Sequence, residues 1–183
     1  ESDYDASATI TPDANNIVYV TVEGAGNKDG SSWANAADNL NLAVTLGTMM
    51  DPKPTVWVAE GTYVGDSVAN GSAFTMYAGV NVYGGFAGTE TTLDERNYEE
   101  HPTILDGQNV QRVLMQNAAF SEINAAAWDG FIFQNGRLTT NASGAGVYLR
   151  QNGTIRNSII RNDTIVTNAG SVYGGGVYMN YGT

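Results

Sequence analysis

The chain has no cysteine, one histidine and four prolines in 183 residues. Without thiols there is no disulfide framework and no thiolate metal site. The lone imidazole, His101, has no second His or Cys to join it, which speaks against a transition-metal site. No acylating triad assembles without a base other than His101. Positive charge is scarce as well: eight Lys and Arg face nineteen Asp and Glu, a net charge of −11. Such a chain repels phosphate backbones, which argues against a nucleic-acid partner. It argues more mildly against polyanionic glycans, unless a cation bridges the charges. No apolar run is long enough to form a membrane-spanning helix, and no basic-then-apolar leader stands at the start.

What is present is repetition. Gly144-Ala145-Gly146-Val147-Tyr148-Leu149 returns as Gly174-Gly175-Gly176-Val177-Tyr178-Met179, a shift of 30 residues. Ile132-Phe133-Gln134-Asn135 returns as Ile159-Ile160-Arg161-Asn162, a shift of 27. Each unit is a short apolar run closed by an Asn-Gly, Asn-Asp or Gly-Gly turn. Short strands that cannot bury their own face must stack on copies of themselves. The expected fold is all-β: a right-handed parallel β-helix with one capping α-helix near the N-terminus. A β-sandwich, the rival, would close hairpins more often and would not show a shift of 27–30.

Along the chain, residues 1–16 are polar and aperiodic and read as a linker. Residues 17–55 read as a first strand and the capping helix, and 56–183 as β-helix rungs. Ser31 or Ser32 is placed to cap a helix starting near Trp33. Its apolar stripe is Ala36, Leu40, Ala43, Val44 and Gly47, and Trp33 is its expected anchor. Turn residues at 61, 85, 107, 136 and 163 then read as one series marking successive rungs. Asn135 and Asn162 suit turn positions of positive φ, with amides able to bond along the stack. Thr183 follows a matched turn, so the chain is expected to continue beyond it and to be truncated there.

Candidate chemistry is sparse. Asp129, Arg137, Arg156, Arg161 and Asp163 are the nearest material for a calcium-assisted lyase, but no pair of carboxylates repeats at rung spacing. Asp106, Asp129 and Asp163 could be paired for glycoside hydrolysis; two of them precede Gly, which is ordinary turn chemistry. No catalytic residue is assigned, no metal site is assigned, and no cofactor is called for; Ca²⁺ is conceivable but not indicated. Tyr148 and Tyr178 point outward beside Arg150 and Asn180. Aromatic faces next to polar groups suit sugar rings, while plain cross-strand packing is the ordinary alternative.

Tyr83-Gly84-Gly85-Phe86-Ala87-Gly88-Thr89-Glu90, followed by Leu93 and Arg96, resembles a stretch of bacterial secreted and cell-surface proteins. Asp29-Gly30-Ser31-Ser32-Trp33 and the Gly-Gly-x-Val and aliphatic-x-x-Asn repeats share that resemblance. They are similar to proteins of the pectin-lyase-like superfold and to the repeats of polymorphic outer-membrane adhesins. The resemblance covers about residues 17–182 and implies three sheets per turn, where the residues themselves show only two strand sets. It implies an exported, extracellular or cell-surface protein. Glu90 and Arg96, inside this stretch, read as a structural ion pair or loop brace. Asp66-Ser67-Val68 and Asp163-Thr164-Ile165 are similar to a bacterial O-glycosylation motif, with Ser67 and Thr164 as acceptors. Asn70, Asn141, Asn152 and Asn162 head Asn-x-Ser/Thr sequons.

The expected role is adhesive or glycan-binding display, with a glycan or host-surface component as partner. The alternatives are the first part of a polysaccharide lyase or glycoside hydrolase with later catalytic rungs, and a passive stalk. Oligomeric state is not readable.

Overall fold

The computed structural model describes residues 9–69, 71–168 and 170–181. The sequon at Asn70, the turn match at Thr183 and residues 1–8 of the polar start lie outside them. The chain winds as a parallel β-helix. β1 (Ile17–Val20) opens it, and α1 (Leu40–Gly47), the one α-helix among the described residues, follows. The next coil is β2 (Thr55–Ala59), β3 (Gly61–Val64) and β4 (Ser72–Met76). The third is β5 (Val82–Phe86), β6 (Thr103–Asp106) and β7 (Arg112–Gln116). The fourth is β8 (Ala126–Asp129), β9 (Phe131–Gln134), β10 (Arg137–Leu138) and β11 (Val147–Arg150). The last is β12 (Gly153–Arg156), β13 (Ile159–Arg161), β14 (Thr164–Ile165) and β15 (Val177–Asn180).

Equivalent strands of successive coils pair in parallel and build three walls: β1-β2-β5-β8-β12, β3-β6-β9-β13 and β4-β7-β11-β15. The short pair β10-β14 adds a strip at the corner between the second and third walls. Turn spacing alone does not separate the first wall from the second; the third is the wall that carries the Val147 and Val177 repeat.

The walls close because side chains alternate in and out along each strand. Val18, Val56, Val82, Trp128 and Ile155 fall in one register column of the first wall. Tyr63, Leu105, Phe133 and Ile160 do so in the second. Phe74, Leu114, Val147 and Val177 do so in the third, so Val147 and Val177 are direct neighbours. All but Val177, at the exposed end, join one continuous apolar core. Each large side chain buried this fully contributes on the order of 1.5–3 kcal/mol. Ile10 joins the same core, so residues 9–16 lie against the first coil.

The helix starts later than its pattern suggested. Trp33–Asn35 is a single 3-10 turn, and α1 begins at Leu40 behind Asn39, whose side chain accepts the Leu42 N–H at 2.9 Å. Ala37 is unavailable to a helix because it runs beside β1: its N–H donates to Tyr19 and its carbonyl accepts from Thr21. Leu40, Ala43, Val44 and Gly47 face the core, so α1 covers the first end of the stack. Trp33 does not anchor it. The indole sits outside the first wall in a separate cluster with Tyr19, Trp57 and Phe86.

The turn series also needs correction. Gly61 pairs with Thr103, not with the coil position of Gly85. Turn residues 61 and 85 mark the first corner, whereas 107, 136 and 163 mark the second. Residues 87–102 are an insertion at the first corner of the third coil. Glycine-rich turns serve both corners, so one series merged two. Asn135 and Asn162 both adopt the expected positive φ, 59° each.

Candidate functional site

The outer face of the third wall carries an aromatic row. Glycines set its register. Gly144 and Gly174 hold φ of 68° and 60°, and a Cβ on Gly144 would strike the Val147 carbonyl. The loop around Gly144 then stacks on the next: Gly144, Ala145 and Val147 donate to the carbonyls of Gly174, Gly175 and Gly176 at 2.8, 2.9 and 2.7 Å. β11 and β15 therefore enter in step, which puts Tyr148 directly beside Tyr178. On the other side Tyr148 faces Met115 of β7.

The Tyr148 and Tyr178 rings lie 5.4 Å apart, tilted by 41°. Tyr173, from the loop before β15, extends the row at 6.3 Å from Tyr178 and 25° from parallel. Tyr148 and Tyr178 are half-buried, while Tyr173 is 60% exposed. Arg150 pairs in register with Asn180, whose amide donates to the Tyr148 hydroxyl at 3.1 Å. Arg112 lies buried at the edge of the row. It donates to the Gly144 and Ser143 carbonyls at 2.7 and 2.8 Å and fixes the loop that carries the repeat. Burial pulls its guanidinium below its ordinary pKa, and the nearby Tyr148 works the other way. The structure thus brings Tyr148, Tyr178, Arg150 and Asn180 together. Tyr173 and Arg112 complete the patch; neither shows in the repeat, since one is in a loop and the other heads β7, one coil before β11 on the same wall.

The other singled-out residues sit elsewhere. Glu90 and Arg96 do not pair with each other. Burial works against the ionised Glu90, but N–H groups of Ala87, Gly88 and Thr89 donate to its carboxylate at 2.6, 3.0 and 2.9 Å and hold its pKa below the usual range. It braces the insertion, and its carbonyl accepts the Trp33 indole N–H at 3.0 Å. Arg96 instead reaches the next coil: it pairs with Asp129 at 2.8 Å and donates to the Gly84 and Asp129 carbonyls. Tyr83 and Tyr98 lie over the guanidinium at 5.1 and 5.6 Å.

On the second wall, Gln134 and Asn135 both donate to Asp106, at 2.9 and 2.8 Å, and Arg161 donates to Gln134. Asp163 lies beyond this ladder. It accepts the Gly136 N–H at 2.7 Å through one oxygen, while the other is buried and without a partner in the structure. Burial raises its pKa to about 7; the Gly136 bond opposes this and the Asp106 charge adds to it. The carboxyl of the Asp163-Thr164-Ile165 motif is therefore turned inward, whereas Asp66, Ser67 and Val68 are all exposed, with the Ser67 hydroxyl on Gln108. The Asn152 amide donates to the Phe120 carbonyl at 2.8 Å. His101 meets Glu60 at 3.1 Å on the surface.

No family model, curated protein or solved structure matches this chain.

Proposed function

We propose that this chain is an exported β-helix domain that displays a glycan-engaging surface, with the tyrosine row of the third wall as its contact. The observation that supports this reading is Tyr173, Tyr178 and Tyr148 in a continuous row beside Arg150 and Asn180. Sugar rings present apolar C–H faces and hydroxyls together, and an aromatic face flanked by donors answers both. The row crosses the strands, so it runs along the stack and offers a surface longer than one ring. Tyr148 and Tyr178 come from consecutive coils and from the repeat, and Tyr173 adds a third ring from the loop before β15. The bacterial surface-protein motifs named above support export and surface display.

A glycan array probed with the purified chain, repeated with Tyr173→Ala/Tyr178→Ala, tests the reading. Selective retention that falls at least tenfold in the double variant supports it. Unchanged retention with an unchanged circular dichroism spectrum overturns it. Protease accessibility on intact cells of the source organism tests surface display. Intact mass of the natively expressed chain tests modification at Ser67 or Thr164.

A further inference from the structure

Two guanidinium groups flank Tyr148: the Arg112 and Arg150 carbons lie 5.4 and 5.5 Å from its ring centroid. Neither forms an ion pair. Among the described residues the pairs are Lys28–Asp38, Arg96–Asp129 and His101–Glu60. Arg112 is satisfied by neutral groups, the Ser143 and Gly144 carbonyls and the Ser72 hydroxyl. The Arg150 Nε is buried and has no acceptor in the structure. The aromatic row thus carries two cations without a local counter-charge, on a chain of net charge −11.

The two fields act over different ranges. Charges beyond about 8–10 Å are largely screened at physiological salt, while a guanidinium in contact with its partner acts through a lower effective dielectric. A ligand with charge along its whole length meets the acidic surface as well as the row. A ligand with one anionic group placed on the row meets chiefly the arginines. Arginine presents a planar fork suited to carboxylate, sulfate or phosphate oxygens.

We propose that the tyrosine row takes a saccharide bearing a single anionic group, with Arg150 as the partner of that group. This rests on the glycan reading above and narrows it. Tyr173 and Tyr178 hold the sugar faces, Arg150 supplies the donor, and Arg112 adds charge from beneath. The Asn180 amide, already bonded to the Tyr148 hydroxyl, keeps that ring in place between the two arginines.

The test is calorimetry on the chain with lactose, 3′-sialyllactose, 3′-sulfolactose and tetragalacturonate. These are one neutral probe, two singly charged probes of different anion chemistry and one polyanion. The expected result is that at least one singly charged probe binds tenfold or more tighter than lactose and tighter than tetragalacturonate. Its advantage over lactose, taken as the ratio of the two affinities in the same protein, shrinks with added salt and disappears in Arg150→Gln. The preferred anion identifies the group. If Tyr178→Ala weakens saccharide binding but lactose binds as tightly as both charged probes, or Arg150→Gln changes nothing, the charge assignment is wrong and the glycan reading stands. The same holds if tetragalacturonate binds tightest. If no probe binds and the array retains nothing, both are wrong. Circular dichroism of Arg150→Gln confirms that any loss is not loss of fold.

Discussion

The two ends of the coil stack carry the same strand chemistry in different surroundings. At the first end, Val18 and Val20 of β1 are fully buried, because α1, the Ala37 bridge and Ile10 cover them. At the other, Val177 and Met179 of β15 occupy equivalent inward positions yet are 38% and 49% exposed. The pattern of a strand sets which face it offers to the core, and only a neighbour above and below turns that offer into stabilisation. Between the ends, the third and fourth coils are also fastened by Arg96, which the last coil has no counterpart for among the described ion pairs.

The sharpest way to test this contrast is to cut the fastening. Asp129→Ala leaves the Arg96 side chain, only 12% exposed, without its carboxylate and is expected to cost about 3–5 kcal/mol. Asp38→Ala, which removes an exposed pair with Lys28, is expected to cost under about 1 kcal/mol. Urea unfolding of both variants measures the difference, and equal costs would contradict the burial argument. Next, Leu40→Ala in α1 is expected to cost about 2–5 kcal/mol. Met179→Ala, at the exposed end, is expected to cost less than half as much, since much of its surface already meets water. Similar melting shifts for the two would erase the difference between the ends.

A pH dependence is expected in the last coil. The folded-state pKa of Asp163 is raised to about 7, chiefly by burial. Between the unfolded carboxyl value near 3.8 and about 7, the folded chain therefore holds a proton that the unfolded chain has released. This contribution is fully present below about pH 3.8 and is lost as pH rises through about 7. Protection of the amides of residues 174–179, relative to their intrinsic exchange rates at each pH, is expected to fall over that interval, and in Asp163→Asn that fall should flatten. An unchanged slope in the variant would remove Asp163 from the account.

Much of this architecture was legible in the residues. The in-out pattern of Val147-Tyr148-Leu149 and its copy contains both the core column and the outward row, because a period of two assigns faces directly. The positive-φ turns at Asn135 and Asn162 were legible for a similarly local reason. The start of α1 was not, since Asn39 competes with the serines as a cap and Ala37 is drawn into pairing with β1. The insertion at 87–102 was hidden because Gly61 and Gly85 belong to a different corner from Gly107. The ion-pair reading of Glu90 and Arg96 joins residues six apart, whereas the partner of Arg96 is on the next coil and Glu90 alone braces the loop. Contacts between coils depend on how many residues each corner consumes, and a turn signal does not state that. The parts played by Arg112 and Tyr173 are not legible for the same reason: the patch is assembled across three coils and a loop.

The reach of Arg96 has a mechanical side. A stack pulled from one end peels strand by strand, each step breaking a few parallel hydrogen bonds. When peeling from the β15 side arrives at β8, it must also tear the Asp129 carboxylate and carbonyl from a guanidinium seated between Tyr83 and Tyr98. Peeling that reaches β8 therefore meets a rip-stop: a side-chain tie from the inserted loop on top of the strand pairing.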